Sequence, residues 1–141
     1  MQLPHSVTLF NRVEDAEGEV SYRVTFLKGL LYRVVRGNSR AGTGEQSRDT
    51  AKLYVPLSVS TGEKTYLSPE EYARLSDDEL AAHYTFSVKG DFFVLGEKRD
   101  LADVPMETAD VKEIYDVHAI TAVEFLDFGN PSLHHWEVSG V

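Results

Sequence analysis

The chain contains no cysteine, and this absence removes several chemistries at once. Without thiols there is no disulfide, no thiolate metal site and no cysteine nucleophile. No run of 18 apolar residues occurs either, so no transmembrane helix is expected. The start, MQLPHSVTLF, lacks the basic and then apolar segments of a signal peptide. Together these absences favour a protein made in a reducing cytoplasm.

Basic residues are also scarce, because 14 Lys and Arg stand against 23 Asp and Glu and the net charge is −9. The imbalance lies late in the chain: residues 1–90 hold 12 acids and 11 bases, whereas residues 91–141 hold 11 acids and 3 bases. A protein that grips duplex DNA needs clustered Lys and Arg to neutralise phosphates. The acidic surface therefore argues against duplex binding and against docking on an anionic membrane, and it also serves simply to keep a protein soluble.

Apolar and polar residues alternate at every second position in much of the chain, which is typical of half-buried strands. Two clear examples are EVSYRVTF at 19–26 and KLYVPLSV at 52–59. Pro56 lies inside the second example, and because proline cannot donate to a ladder we expect an edge strand or a bulge there. Further strands are predicted at 6–13, 30–35, 83–88, 91–97, 118–125 and 134–138.

Turn residues connect several of these strands. Gly18 follows Glu17 between the first two predicted strands, and Gly29 follows Lys28 between the next two. Lys89-Gly90-Asp91 predicts a tight hairpin between two aromatic-rich runs. Many short strands at this spacing favour an antiparallel arrangement.

Helices are predicted to be few and short. Ser68 with Glu71 and Ser76 with Glu79 form two capping boxes, each of which marks the first turn of a helix. A last helical turn is predicted after Thr108. The chain is thus predicted to be one β-rich domain over residues 1–141, a small antiparallel β-barrel or sandwich with one or two short helices and a long flexible hairpin loop.

That loop is the segment at 36–50, RGNSRAGTGEQSRDT, which holds one apolar residue among three Gly and three Arg. It lies between two predicted strands and is too polar to order itself, so we expect it to be mobile. Its bases, Arg36, Arg40 and Arg48, outnumber its two acids. This local charge suits contact with an acidic neighbouring subunit or with DNA phosphate, and a plain surface insertion is the alternative.

Motifs for nucleotide, metal and covalent chemistry are missing. Gly42-Thr43-Gly44 lacks the third glycine and the helix of a phosphate loop, and no G-x-S-x-G elbow occurs. Asp116 and His118 lie two residues apart and could share a strand face, but no third ligand stands at a metal-binding spacing. We therefore predict no cofactor, no metal and no catalytic residue, which means a protein that is not an enzyme.

The closing stretch LHHWEVSG holds the only Trp of the chain beside two adjacent His. Neighbouring strand residues point to opposite faces, so Trp136 shares a face with His134 while His135 takes the other. The two imidazoles therefore cannot readily chelate one ion. We predict that Trp136 is a mostly buried anchor of the core or of an interface, in a last strand paired with the strand at 118–125. His134 and His135 flank this anchor.

Three segments carry a resemblance to a known family: the opening LPHSVTLFN, the middle KGDFFVLGE and the closing YDVHAITAVEFLDFGNPSLHHWEVSG. Together they resemble a family of small uncharacterised proteins from tailed phages and prophages. Members of that family are encoded in the structural-gene cluster, among head–tail connection proteins. The similarity is strongest over residues 115–140, and the loop at 36–50 lies outside it.

The resemblance implies a virion structural protein of the head–tail connector, either a head-closure (stopper) protein or an adaptor. Such stoppers are small β-barrels that form a ring and carry a long hairpin loop into the DNA channel. The implied partners are portal, adaptor and tail proteins, further copies of the chain in a homo-oligomeric ring, and channel DNA in non-specific contact, with no membrane involved. The implied location is the virion, after synthesis in the bacterial host cytoplasm. The resemblance is also compatible with a monomer when the chain is isolated.

An acidic channel wall fits this implied role, because repulsion of phosphate lets DNA slide without sticking. The residues by themselves leave a second function open. A host-encoded β-barrel module would bind a small ligand or peptide, since barrels often hold ligands in their mouths.

Overall fold

The computed structural model describes residues 3–35, 50–98 and 117–141. Along the chain the elements are β1 His5–Glu14, β2 Val20–Val35, β3 Thr50–Pro56, β4 Thr65–Tyr66, α1 Pro69–Tyr72, α2 Asp77–Leu80, β5 His83–Tyr84, β6 Phe92–Leu95, β7 His118–Leu126 and β8 His135–Gly140. Strands dominate the described residues, as the alternation predicted. A 3₁₀ turn at Pro131–Leu133 precedes β8.

Two predictions fall outside the described residues. The first is the long interaction loop with Arg36, Arg40 and Arg48, of which only the last residue, Thr50, is described. The second is the helical turn after Thr108. The strands that flank the loop are described, and Val35 at the end of β2 pairs with Thr50 at the start of β3. The segment at 36–49 therefore connects two neighbouring antiparallel strands, as predicted from its place in the sequence.

Six strands close into a barrel in the order β1-β2-β3-β8-β7-β6, and every pair in it is antiparallel. The closure depends on β6, a short strand that pairs with β1 on one side and with β7 on the other. Among the described residues, two ladder pairs join β6 to β7, Phe92 with Ala119 and Phe93 with His118. β4 and β5 form a separate two-stranded parallel sheet. The predicted fold class, a mainly β antiparallel barrel or sandwich with one or two short helices, is confirmed, and the described strands form the barrel.

β2 is one strand of 16 residues, whereas the sequence predicted two strands joined by a turn at Lys28-Gly29. Gly29 has a φ of 89°, and the register with β1 shifts beside it, so that His5 pairs with Leu30 and Ser6 with Lys28. The predicted turn is wrong, because the left-handed glycine makes a bulge instead. Residues 20–28 and Leu30 of β2 pair with β1 and residues 31–35 pair with β3, so one long strand serves both halves of the barrel wall.

β3 is an interior strand of the barrel and not the edge strand that Pro56 predicted, because it pairs with β2 and with β8. Pro56 is tolerated because it is the last residue of the strand, where the ladder ends opposite His135. The predicted alternation up to Val59 also stops there. Leu57, the next residue, is 51% exposed.

The Lys89-Gly90-Asp91 sequence does not form the predicted hairpin. Only His83 and Tyr84 of the segment at 83–88 are in a strand, and they pair in parallel with β4. Residues 85–91 form a loop that returns to the barrel, with Gly90 at a φ of 108°. A tight turn is present, but it joins a small separate sheet to the barrel.

The predicted capping box at Ser76 and Glu79 forms at the start of α2, whereas at the start of α1 Ser68 is the N-cap but only one of the two box hydrogen bonds to backbone N–H groups is present. The Ser68 hydroxyl accepts a hydrogen bond from the Glu71 backbone N–H at 3.3 Å. The Ser76 backbone N–H donates to the Glu79 carboxylate at 3.2 Å. Each helix is four residues long, so its packing against the barrel, through Tyr72 in α1 and Leu80 in α2, matters more than its intrinsic stability.

Apolar side chains from alternate strand positions fill the barrel interior. The fully buried members of this interior cluster include Val7, Leu9, Leu27, Leu30, Leu53, Val55, Phe93 and Val138. A second cluster, centred on Phe10, Val24 and Phe92, lies on the opposite face of β1, β2 and β6. β1 therefore buries both of its faces, and each fully buried large apolar side chain contributes roughly 1.5–3 kcal/mol.

Candidate interaction surface

Trp136 lies in β8, opposite Val55 of β3 on one side and Phe125 of β7 on the other. The predicted pairing of the last strand with the strand at 118–125 is therefore confirmed. The indole packs against the interior cluster, with ring centroids 4.7 Å from Tyr66 and 5.1 Å from Phe125. It is mostly buried, as predicted, and its remaining exposed part lies beside Phe125, which is 45% exposed. Trp136 is thus an anchor that reaches from the core to the surface.

His134 and His135 point to opposite faces of the sheet, as predicted. His134 meets the ring of Phe125 edge-on, at 6.1 Å between centroids. His135 stacks on Tyr54 at 3.9 Å, and its Nε2 lies 3.5 Å from a carboxylate oxygen of Glu137. The two imidazoles therefore have separate partners, and each helps to hold β8 in place beside Trp136.

The hairpin between β7 and β8 exposes large apolar side chains at its tip. Phe128 is 76% exposed, Leu133 is 60% exposed and Phe125 is 45% exposed. One acid, Asp127, lies among them, whereas Glu124 is next to Phe125 in β7 and therefore faces the other side of the sheet. We call Phe125, Asp127, Phe128 and Leu133 the tip surface. Scattered exposed apolar residues are ordinary, but several on one short hairpin indicate a contact surface.

The tip is held by local hydrogen bonds. The Asn130 side-chain oxygen accepts from the backbone N–H of Ser132 at 3.1 Å and caps the 3₁₀ turn that Pro131 begins. Gly129 before it has a φ of 70°, which glycine adopts without strain. The hairpin therefore presents its apolar side chains on a defined backbone, and little conformational entropy has to be lost when a partner binds.

A buried polar network lies elsewhere in the barrel, around the carboxylate of Asp91. One oxygen accepts from the backbone N–H of Arg12 at 2.8 Å. The other accepts from the Asn11 side-chain amide at 2.7 Å and from the backbone N–H of Ser87 at 3.1 Å. The Asn11 amide also donates to the Thr85 carbonyl at 2.7 Å. This network ties the loop at 85–91 to β1.

Burial raises the pKa of Asp91 to about 6, even though its hydrogen bonds from Arg12, Asn11 and Ser87 act in the opposite direction. Asp91 is 2% exposed and Asn11 is fully buried. Because every oxygen of the carboxylate has a donor, the group is suited to holding the loop in place. A carboxylate with a perturbed pKa also occurs at many functional sites.

A cleft of about 1620 Å³ opens beside this network, between the β1–β2 hairpin, both helices and the loop at 85–91. Arg12, Arg23 and Lys89 line it, together with acids of the hairpin such as Glu14 and Glu19. The volume exceeds the roughly 300–1,000 Å³ of ordinary small-molecule pockets. A wide cleft with walls of mixed charge suits a peptide or a neighbouring protein segment better than a compact ligand.

The Asp91 network was not predicted from the sequence, although one signal for it was present. Val7, Leu9 and Asn11 occupy alternate positions of β1, so Asn11 stands where the pattern requires an interior apolar residue. A buried amide must find hydrogen-bond partners, which makes a second polar residue in the interior necessary. The sequence does not say which residue that is, because Asp91 is 80 positions away along the chain.

Within the described ranges, no three His, Asp or Glu side chains lie close enough together to hold a metal ion. The expectation that the protein binds no metal stays a prediction for direct metal analysis. In the same ranges, no helix has the length and apolar character needed to cross a membrane.

Comparison of the chain with curated proteins gives no match, and comparison with solved structures gives none either. One family model matches residues 3–141. The match runs from before β1 to the end of β8, so it includes Trp136, the tip surface and the Asp91 network. The chain therefore belongs to DUF6751, a family of unknown function.

Proposed function

We propose that the protein is a structural component of the head–tail connector of a tailed phage, either a head-completion (stopper) protein or an adaptor. It acts by assembling with copies of itself and with portal and tail proteins in the virion, not by catalysis. The resemblance of three segments to phage structural proteins motivates this proposal. The tip surface is the observation that supports it best, because it lies within residues 115–140, where the resemblance is strongest.

The tip surface supports an assembly role on physical grounds. Exposed apolar area is costly in water, at roughly 25 cal/mol for each Å², and this cost is relieved only when a partner covers it. Phe128 is 76% exposed on a hairpin whose turn is capped by Asn130. Beside the hairpin, Trp136 connects the surface to the barrel core. A rigid aromatic surface backed by a core residue is the usual anatomy of a protein–protein contact.

The strands that flank the segment at 36–49 support the same role. β2 ends and β3 begins at paired residues, Val35 and Thr50, so a long connection between them leaves the barrel wall at one place. Stopper proteins carry a long hairpin loop in a barrel of this kind. Arg36, Arg40 and Arg48 in that connection are proposed to contact an acidic neighbouring subunit or channel DNA.

The test is deletion of the reading frame from the genome that encodes it, followed by electron microscopy of the particles formed. We expect DNA-filled or DNA-leaking heads without tails, and tailed particles again when the wild-type chain is supplied in trans. Tailed, infectious particles from the deleted genome would contradict the proposal. So would the absence of any particle from the unmodified genome under inducing conditions.

The cleft beside Asp91 favours a second candidate, a β-barrel module that binds a small ligand or peptide. The cleft of about 1620 Å³ is lined by both acids and bases, which would recognise a ligand of mixed charge. A thermal-shift screen with short charged peptides tests this candidate. Stabilisation that is lost in Lys89→Glu and kept in Lys52→Glu, a change outside the cleft, would support it; no stabilisation by any peptide would rule it out.

A further inference from the structure

Exposed apolar side chains are concentrated at the end of the sheet where the tip surface lies. His135 at the start of β8 pairs with Pro56 at the end of β3 and with Leu126 at the end of β7. Leu57 directly follows Pro56 and is 51% exposed, so it lies at the same end of the sheet as the tip surface. Of the nine large apolar side chains that are exposed among the described residues, four lie at this end. Such a concentration is typical of a contact surface.

The charged side chains at this end are acids. The strands and turns that form it come from residues 53–62 and 117–141, and these two ranges hold three acids but neither Lys nor Arg. The closest base that strand pairing places beside them is Lys28 of β2, which is bridged to Ser60. Two strands, β3 and β8, separate Lys28 from β7. The tip surface therefore projects from a hairpin that carries negative charge only.

Asp127 determines which chemistry a partner must supply. It is exposed between Leu126 and Phe128, and its carboxylate forms no hydrogen bond or ion pair within the described part of the chain. A partner that covers Phe128 also removes water from this neighbouring carboxylate, and that loss is unfavourable unless the partner brings a cation or hydrogen-bond donors. Lys and Arg supply both.

The same charge argues against two other kinds of partner. DNA phosphate and the head groups of an anionic membrane are repelled by an acidic hairpin that has no base. A protein segment can combine apolar and basic side chains in one short stretch. It is therefore the class of partner that complements both features of this surface.

We propose that the tip surface, together with Leu57, binds a segment of another protein in which apolar side chains are combined with Lys or Arg. Apolar contact with Phe128 and Leu133 supplies affinity, and a base paired with Asp127 supplies orientation. The inference deepens the proposed function by stating the chemistry of the partner, and it rests on that function for the partner's place in the virion. The binding itself belongs to the purified chain.

Two synthetic peptides test the binding. Both form an amphipathic helix with the same leucine face, and the polar face carries lysine in one peptide and glutamate in the other. Each peptide is titrated into isotope-labelled protein while the backbone amide chemical shifts are followed by NMR. We expect saturable shifts with the lysine peptide at the end of β3 and in the β7–β8 hairpin, and binding of the glutamate peptide that is weaker by about tenfold or more.

Two variants separate the apolar contribution from the charge. Phe128→Ser removes the most exposed aromatic side chain and is expected to weaken binding of the lysine peptide about tenfold. Asp127→Lys is expected to weaken binding of the lysine peptide by about as much and to strengthen binding of the glutamate peptide. A variant that had merely lost its fold would not gain affinity for the second peptide.

Matched controls carry the same changes at exposed positions away from the tip. Val88→Ser matches the first variant and Glu17→Lys matches the second. Because the whole chain has a net charge of −9, Glu17→Lys measures the general attraction of a cationic peptide to the protein. Both controls are expected to bind the lysine peptide within about twofold of the wild type, since exposed charges at a distance are screened by salt. Circular dichroism of every variant shows whether its fold is retained.

Several results would overturn the proposal. These are binding of neither peptide, equal affinity for both, or shifts that spread over the acidic surface and weaken equally in Glu17→Lys. Shifts at the tip caused by DNA, by anionic lipid vesicles or by self-association in place of the lysine peptide would also overturn it. Peptide binding at the tip, combined with normal tailed particles after gene deletion, would keep this contact and reject the connector function. Tailless particles combined with no peptide binding would keep the connector function and reject this contact.

Discussion

Two regions of this barrel treat polar and apolar groups in opposite ways. Around Asp91 the protein buries a carboxylate and an amide and gives each of them hydrogen-bond partners. At the β7–β8 hairpin it leaves most of the surface of Phe128 and Leu133 exposed to water. A buried network that is fully bonded specifies a fold, whereas an exposed apolar surface is a cost that only a partner removes. The difference separates a part of the chain that serves folding from a part for which we propose a role in assembly.

The largest expected effect comes from breaking the buried network. Asp91→Ala leaves the backbone N–H groups of Arg12 and Ser87 and the Asn11 amide without their acceptor. Because a buried unsatisfied donor costs about 1–3 kcal/mol, we expect the free energy of unfolding to fall by roughly 4 kcal/mol. Urea denaturation measures it, with Asp127→Ala at the exposed tip as the control. A loss of less than about 1 kcal/mol would mean that the network does not hold the loop.

The next effect tests the residue that joins the two regions. Trp136→Ala removes the ring that packs on Tyr66, Phe86 and Phe125. Since the indole is mostly but not fully buried, we expect a loss of about 3 kcal/mol, the lower end of the range for a fully buried aromatic. Trp136→Phe, which keeps much of the apolar area, should recover at least half of it. Chemical denaturation of both variants checks this, and equal losses in the two would argue against a packing role.

The titration of Asp91 makes the free energy of unfolding depend on pH, which provides a second test of the buried network. Its pKa in the folded protein is raised to about 6 by burial, above the value of about 3.9 expected in the unfolded chain. Between these two values the folded state holds the proton more tightly, so stability is highest at the acid end of the window and falls as pH rises from about 4 to about 6. The contribution is on the order of 3 kcal/mol and is constant above that window.

The measurement is the free energy of unfolding at several pH values for the wild type and for Asp91→Asn. Asparagine has no proton to lose in this range, so the fall in stability between pH 4 and 6 should be smaller in the variant by the contribution of Asp91. Other carboxylates titrate in both proteins and cancel in the difference. Parallel pH profiles would show that the pKa of Asp91 is not raised.

Local signals in the sequence predicted the elements of both regions. Alternation placed Trp136 in a last strand paired with β7, and the Ser68 and Ser76 capping boxes placed both helices. Capping and alternation act over a few residues, so they can be read without the rest of the fold. The position of the anchor was therefore predictable from the closing stretch alone.

Glycine positions were not predictable in the same way. A left-handed glycine permits a turn and a bulge equally well, and at Gly29 the pairing of β2 with both β1 and β3 decides for the bulge. At Gly90 the loop conformation depends on the neighbouring Asp91, which binds Asn11, 80 positions away along the chain. Long-range partners determine these conformations. The exposure of Phe128 was not predictable for the same reason, since residue type alone does not show whether other side chains pack over an aromatic residue in a turn.

The smallest effect on stability is expected at the tip itself, in the variant Phe128→Ser. With 76% of its surface already exposed, Phe128 has little burial to lose, so the free energy of unfolding should change by less than about 0.5 kcal/mol. Binding of the lysine peptide should weaken by about tenfold nevertheless, since a central aromatic commonly dominates a contact. Denaturation and peptide titration of the same preparation measure both quantities, and Val88→Ser, a 54% exposed apolar residue outside the tip, is the matched control. If Phe128→Ser unfolds the chain, the tip belongs to the core, and the division between a folding region and an assembly region fails. If it leaves both stability and peptide binding unchanged, the exposed hairpin is not the surface that binds a partner.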